Sequence, residues 1–154
     1  MENISFINAK AIVKGGNKFP QINGEVYFRQ TAKGVIVTAR INNLPHSNAE
    51  CQHGIMGFHI HSGNSCSGNK NDEFSNALTH YNPNKCNHPN HAGDMLPLMG
   101  NQGYAWLSFY DKRFTIPEII GKSIIIHEKR DDFASQPSGD AGEKIGCGVI
   151  VAEK

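Results

Sequence analysis

The sequence predicts an all-β fold, an antiparallel Greek-key barrel or sandwich of about eight strands. Apolar residues recur with a period of two in several short segments, without the 3.6-residue stripe of an amphipathic helix. The 16 glycines and 7 prolines separate these segments, as the turns of a sandwich or barrel require. A chain of 154 residues can bury one core, so we expect a single domain over residues 1–154.

Seven segments fit strands, because each alternates apolar and polar residues or is a β-branched run. They are residues 4–13 (approximate bounds), 25–30, 34–41, 54–61, 103–110, 122–128 and 144–151. Residues 113–116 are predicted as a short eighth strand and residues 117–120 as a single helical turn. Two long segments, 62–97 and 128–143, break the pattern, and loops of that length inside a compact domain are usually functional.

The charge balance gives no sign of nucleic acid or of a membrane as a partner. There are 15 basic and 14 acidic residues, and the sequence has no stretch of 18 apolar residues. The first ten residues lack a basic segment followed by an apolar one, so we interpret them as a mature strand and not as a signal peptide. A cytoplasmic location is the default expectation, and an exported form is the alternative because disulfides persist in oxidising compartments.

Six of the eight histidines fall in three short phrases. These are Gly57-Phe-His-Ile-His61, His80-Tyr-Asn-Pro-Asn-Lys-Cys-Asn-His-Pro-Asn-His-Ala-Gly-Asp94 and Ile126-His127-Glu128. Histidines two apart on a strand point to one side, so His59 and His61 are predicted to be two ligands of one metal. The second phrase adds three imidazoles and the Asp94 carboxylate, which is more than one metal needs. We therefore predict two metal sites, one of imidazole alone and one completed by Asp94.

A single histidine is more often a satisfied core or surface residue than a ligand, and His46 and His53 are interpreted in that way. Neutral imidazole suits zinc, copper, iron and nickel, and copper heads the order of divalent affinity. The cluster thus predicts metal binding without identifying the metal.

These phrases resemble the copper/zinc superoxide dismutase family, and the likeness runs over essentially the whole chain. Gly57-Phe-His-Ile-His61 resembles the family's copper-binding strand, and His80-Tyr-Asn-Pro83 resembles its bridging-histidine turn. His91-Ala-Gly-Asp94 resembles the end of its zinc loop, and Ile125-Ile-His-Glu128 its last copper-ligand strand. Gly139-Asp-Ala-Gly-Glu-Lys-Ile-Gly-Cys-Gly148 resembles the approach to its final strand. The short step from His61 to Cys66 and the compact His88-Pro-Asn-His91 are more similar to bacterial members than to animal ones.

The resemblance implies a copper site of four histidines and a zinc site of three histidines and an aspartate. The copper ligands would be His59, His61, His80 and His127, and the zinc ligands would be His80, His88, His91 and Asp94. His80 would bridge the metals and also carry protons while superoxide is converted to dioxygen and hydrogen peroxide. Asp131 would link a zinc histidine to a copper histidine and fix their ring orientations. The short spacing between His88 and His91 leaves the identity of the middle zinc ligand open.

Four cysteines allow three complete pairings, and none lies in a Cys-x-x-Cys motif. The resemblance implies a disulfide between Cys66 and Cys147, which would tie the metal loop to the last strand. Cys51 and Cys86 lie outside that pair, and the sequence leaves open whether they form a second disulfide or remain two thiols.

One departure from the family pattern concerns the catalytic anion-guiding position. The family usually has an arginine where this chain has Lys144. Arginine offers a planar fork to an anion, whereas lysine offers a hydrated point charge on a flexible stem. Loss of one oriented hydrogen bond, about 1 kcal/mol, predicts a dismutase that is several-fold slower but active. The alternative is that Lys144 is only a solvated charge.

Two functions therefore stay open. The first is a copper- and zinc-dependent superoxide dismutase that acts as a monomer or homodimer. The alternative is a non-enzymatic zinc- or copper-binding module on the same scaffold, with little or no turnover. The complete set of copper histidines favours the enzyme and Lys144 favours the module, and the fold alone cannot separate them.

Overall fold

The computed structural model describes residues 7–49 and 54–154, and nearly all regular structure in them is β. The strands are β1 (Asn8–Gly15), β2 (Asn23–Gln30), β3 (Val35–Asn42), β4 (Gly54–Met56), β5 (Phe58–His61), β6 (Leu98–Gly100), β7 (Ala105–Asp111), β8 (Ser123–His127) and β9 (Lys144–Ala152). A 3₁₀ turn at Ser75–Ala77 and a one-turn helix, α1 (Ile116–Ile119), complete these elements. Within the described residues, no helix has the length and hydropathy needed to cross a membrane.

Seven strands form one curled antiparallel sheet in the order β5-β8-β9-β1-β2-β3-β7, and β4 pairs with β6. Strands β1, β2 and β3 are consecutive hairpin neighbours, but the chain then crosses to β4 and returns only with β7 to pair with β3. That crossover is the Greek-key connection. The predicted all-β antiparallel Greek-key architecture is confirmed.

Burial alternates along the strands far from the histidines and stops alternating near them. In β3, Val35, Val37, Ala39 and Ile41 are fully buried while the residues between them are not. Every residue of β5 and β8 is buried. Because one face of β5 and β8 meets the core, burial of the other face means that the long loops cover it. The histidines of β5 lie on this loop-covered face.

The predicted strand 54–61 is interrupted at Gly57, so that β4 and β5 belong to different sheets. The Gly57 N–H donates to the Lys129 carbonyl, and the Gly57 carbonyl accepts from the His127 N–H, each over 2.8 Å. A Cβ on Gly57 would lie 2.9 Å from the Ala141 Cβ. The chain therefore changes sheets at a residue that needs no side chain, and the one predicted strand is divided into β4 and β5.

The predicted eighth strand at residues 113–116 is wrong. The carboxylate of Glu118 accepts a hydrogen bond from the Thr115 N–H over 2.6 Å, and Pro117 lies in the first turn. This Thr-x-x-Glu pattern starts a helix, so the predicted helical turn lies at Ile116–Ile119. The missed strand is β6, which is too short for its alternation to be recognised. The first strand ends at Gly15, and residues 4–6 of its predicted range lie outside the described part.

Candidate metal centre

Strand β5 carries two histidines that point away from the core. Phe58 and Ile60 pack among the core residues, and His59 and His61 alternate with them on the loop side. The long loop then returns along the edge of β5, since His61 forms a β-bridge with His80 and His59 forms one with Asp94. Backbone pairing thus brings residues distant in sequence next to the histidines of β5.

Four histidines converge on one point in this region. The ligand-type atoms of His59, His61, His80 and His127 all lie within 4.8 Å of one another. All four side chains are buried. His127 enters from the end of β8, the neighbour of β5 in the sheet.

Hydrogen bonds occupy one nitrogen in three of these rings and leave the other unused. His59 Nε2 lies 2.7 Å from Asp131 Oδ2, and His61 Nδ1 donates to the Leu78 carbonyl over 2.8 Å. His127 Nδ1 donates to the Gly142 carbonyl over 3.1 Å. Because a carbonyl or carboxylate only accepts, each bonded nitrogen carries the proton and the opposite nitrogen has a lone pair.

The remaining nitrogens face inward without ordinary partners. His59 Nδ1 and His80 Nε2 are buried and have no hydrogen-bond partner among the described residues. His61 Nε2 and His127 Nε2 face each other over 3.2 Å. Buried polar atoms are normally satisfied, so four converging imidazole nitrogens of this kind fit a metal that prefers nitrogen ligands, such as copper.

Burial favours the neutral rings of His61 and His127. Loss of water lowers the pKa of His61 well below its usual value, and the neighbouring His127 lowers it further. Burial, followed by the effect of His59, lowers the pKa of His127 to about 3. The neutral ring is the form that binds metal ions, so protons compete weakly for this site.

A second group shares His80 with the first. The ligand-type atoms of His80, His88, His91 and Asp94 also lie within 4.8 Å of one another, and all four residues are buried. Asp94 Oδ1 lies 2.7 Å from His80 Nδ1, while Oδ2 lies 3.0 Å from His88 Nδ1 and 3.1 Å from His91 Nδ1. Three imidazole nitrogens and one carboxylate form a closed four-ligand set of the kind that zinc prefers.

Asp94 is ionised in this group. Burial alone would raise its pKa, but the hydrogen bond from His80 and the charges of the nearby histidines outweigh burial and lower it. The Asp94 carboxylate therefore offers a negatively charged oxygen to a cation bound by this group.

Asp131 lies between the two groups. Its Oδ2 contacts His59 and its Oδ1 lies 2.8 Å from His88 Nε2. Burial would raise the pKa of Asp131, but the bonds from His59, His88 and the Phe133 N–H hold it well below the usual range. A single carboxylate thus orients one ring of each group.

Two further residues position the second group, and the sequence pattern did not identify them. The Arg113 guanidinium binds the Asp111 carboxylate and donates to the carbonyls of His91, over 3.2 Å, and Asp94. The Gln136 side chain accepts from the His88 N–H over 2.9 Å and donates to the His88 carbonyl over 2.7 Å. Both lie far along the chain from the residues they hold, so no local motif marks them.

The structure contains the one disulfide that the resemblance implies. Cys66 and Cys147 form a disulfide with a Cα–Cα distance of 5.6 Å, which confirms the predicted link between the metal loop and β9. Cys51 lies outside the described residues, so the possible Cys51–Cys86 bond lies outside them too. With the described residues, Cys86 forms no disulfide.

Lys144 lies next to the first histidine group, at the start of β9 and opposite His127 in the strand register. It lines a cavity of about 910 Å³ whose wall also includes His61, His80 and His127. Its ammonium group forms an ion pair with Asp72. The expected anion-guiding residue therefore lies at the cavity, but its charge is engaged.

Comparisons with known proteins agree with this geometry. The model of a family described as copper/zinc superoxide dismutase (SODC) matches residues 22–150. A copper/zinc superoxide dismutase of Aquifex aeolicus is 33% identical over 142 residues, which cover 82% of this chain and 79% of that protein. The corresponding enzyme of Xenopus laevis is 31% identical over 145 residues, covering 84% and 89%. That of Legionella pneumophila is 31% identical over 139 residues, covering 85% and 79%.

Proposed function

Since the chain belongs to the copper/zinc superoxide dismutase family, we propose that it converts superoxide to dioxygen and hydrogen peroxide at a copper that His80 links to a zinc. The protein is an enzyme, and its cofactors are a copper ion and a zinc ion. The observation that carries the residue assignment is the convergence of two buried groups of ligand atoms on the shared imidazole of His80.

The copper ligands in this proposal are His59, His61, His80 and His127, and the zinc ligands are His80, His88, His91 and Asp94. The unpartnered nitrogens of His59 and His80 support the first set. The closed set of three imidazoles and a carboxylate supports the second, with His88 as the middle zinc ligand. Asp131 orients His59 and His88 from outside both sets.

Copper supplies the one-electron exchange with superoxide, and zinc supplies a fixed positive charge that does not change oxidation state. His80 presents Nε2 to the copper group and Nδ1 to the zinc group, and it lines the cavity. A ring nitrogen can both accept and donate a proton, so His80 can hold a proton at Nε2 and pass it to the reduced substrate. Lys144, paired with Asp72, lies in the cavity wall that also includes this ring.

The alternative of a non-enzymatic metal-binding module is not favoured. A module that only held zinc would not need the Nε2 atoms of His61 and His127, whose Nδ1 atoms already bond to backbone carbonyls.

We also propose that one domain, residues 1–154, carries both metals and acts as a monomer or homodimer. The net charge of +1 supports a substrate in solution and neither nucleic acid nor a membrane as partner. The disulfide supports the exported alternative to a cytoplasmic location.

The test is superoxide consumption by protein loaded with one copper and one zinc, compared with zinc-only protein. We expect fast copper-dependent consumption that His61→Ala abolishes. His46→Ala is the matched control, because His46 lies outside both groups and, within the described residues, its side chain hydrogen-bonds only to the Leu44 carbonyl. Equal rates for the copper-loaded and zinc-only proteins would refute the proposed function.

A further inference from the structure

The charge of Lys144 is held by a residue of the long loop. Its Nζ forms an ion pair with Oδ2 of Asp72, and the Lys144 side chain is only 16% exposed while that of Asp72 is 39% exposed. Both residues line the cavity that reaches His61, His80 and His127. Lys144, which lies opposite His127 in the strand register, is thus paired with Asp72 inside the cavity that the substrate must enter.

The loop fixes Asp72 for this contact. Asp72 Oδ1 accepts a hydrogen bond from the Phe74 N–H over 3.0 Å, and the Asp72 carbonyl accepts one from the Asn69 N–H over 3.0 Å. The Asn69 side chain accepts from the Asp72 N–H over 3.1 Å. These bonds occupy one carboxylate oxygen and the backbone, so the other oxygen, Oδ2, points to Lys144 without further rearrangement.

The other charges in the cavity wall do not replace Lys144. Lys18 forms ion pairs with Glu128 and Glu143 at the rim. Among the cavity lysines in the described residues, Lys70 has no ion pair, and it is exposed on the loop. A substrate anion therefore meets a free cation at the rim and a neutralised one beside the histidines.

We propose that Asp72 is a positioning residue that competes with the substrate anion for Lys144 and so limits anion entry to the copper group. This inference rests on the proposed function. A cation that steers an anion acts through its net field, and a carboxylate in direct contact cancels most of that field. The ligand class is a small inorganic monoanion, of which superoxide is the substrate and azide a stable probe.

The central variant is Asp72→Asn. The amide keeps an oxygen that can accept from the Phe74 N–H, and it removes the negative charge that holds Lys144. The matched control is Glu143→Gln, which changes net charge by the same amount in the same cavity but removes one partner of Lys18, which keeps its ion pair with Glu128. A difference in rate constant or azide affinity between the two variants is then caused by the release of Lys144 and not by the change in net charge.

We expect Asp72→Asn to raise the second-order rate constant for superoxide about threefold at low ionic strength and to steepen its fall with added salt. Glu143→Gln should change the rate constant by less than about 1.5-fold. Adding Lys144→Gln to Asp72→Asn should abolish the gain. Rates equal to wild type, or an equal gain in both charge variants, would overturn the proposal.

Two readouts besides activity decide the same question. Azide binding to the copper-loaded protein, followed by absorption, should tighten about threefold in Asp72→Asn and not in Glu143→Gln. In metal-free protein, acetic anhydride should modify the Lys144 amine faster in Asp72→Asn, with Lys122 as the internal reference by mass spectrometry. Unchanged azide affinity and unchanged labelling would refute the role of Asp72. An inactive wild type would refute the proposed function instead, and azide and labelling would still decide this one.

Discussion

His59 donates a hydrogen bond from Nε2 to Oδ2 of Asp131 over 2.7 Å. The same carboxylate accepts from His88 through its other oxygen. His59 belongs to the proposed copper group and His88 to the proposed zinc group, so the orientation of one ring in each site depends on one side chain. The two sites therefore share a support as well as the bridging ring of His80.

Asp131→Asn should weaken both metal sites. An amide offers one accepting oxygen where the carboxylate offers two, so either His59 or His88 faces an N–H group instead of an acceptor. We expect metal affinity to fall by about 10- to 100-fold, measured by competition with a chromophoric chelator for copper and for zinc. Asp132→Asn is the control, because within the described residues the Asp132 side chain hydrogen-bonds only to Ser135 and Ala134. Equal losses in both variants would contradict the role of Asp131.

Gly139→Ala should disturb the same carboxylate from its other side. A Cβ on Gly139 would lie 2.0 Å from Asp131 Oδ1 and 2.6 Å from His88 Nε2, and the residue has a φ of +73°. Gly121 has a φ of +83° and nothing within 4 Å of its Cβ position. Gly121→Ala should therefore lower the stability of the metal-free protein only through the positive φ, by about 1 kcal/mol, measured by thermal unfolding. Gly139→Ala should destabilise the fold more and lower zinc affinity, which Gly121→Ala should leave unchanged.

Arg113→Gln should lower zinc affinity more than copper affinity. The guanidinium connects Asp111 at the end of β7 to the carbonyls of His91 and Asp94, two of the proposed zinc ligands. Loss of this connection should reduce zinc affinity by about tenfold or more in the same chelator competition. Arg29→Gln, an exposed arginine on β2, is the comparison. A copper loss as large as the zinc loss would show that Arg113 acts on the fold as a whole.

Removing the disulfide should destabilise the protein strongly. Cys66 and Cys147 are separated by 81 residues, and a loop of that length corresponds to about 4.5 kcal/mol of lost chain entropy in the unfolded state. We expect the free energy of unfolding of the metal-free Cys66→Ala/Cys147→Ala protein, measured with urea, to be lower than that of the wild type by an amount of that order. Cys86→Ala should unfold close to wild type. A loss below about 1 kcal/mol in the double variant would mean that the unfolded chain is already compact.

The sequence predicted those parts of the molecule that depend on local pattern. Alternation identified β2, β3 and β9 within two residues at each end, because one face of each strand meets the core. It failed at residues 113–116, where the bond between Thr115 and Glu118 starts a helix and overrides an apolar run that also fits a strand. The ligand residues could be identified because imidazole and carboxylate groups rarely cluster without a chemical reason.

The residues that hold the ligands in place could not be predicted in this way. Gln136 binds the backbone of His88 across 48 positions, and Lys144 pairs with Asp72 across 72. Neither contact leaves a periodic or spacing signal, since each depends on how the long loops fold over the strands. Lys144 was expected to act through its charge, and the structure shows that this charge has a neighbour that no motif marks.

The two proposed sites differ in how much of the chain each needs. All proposed zinc ligands lie within residues 80–94, whereas the proposed copper ligands extend from His59 to His127. Closing a short loop requires less entropy than closing a long one, so the zinc loop can order around its ion early. During synthesis that segment is complete before β8 has been made, since β8 begins at Ser123. The proposed zinc set is therefore closed within one short segment, whereas the proposed copper set forms only when β5 and β8 have paired.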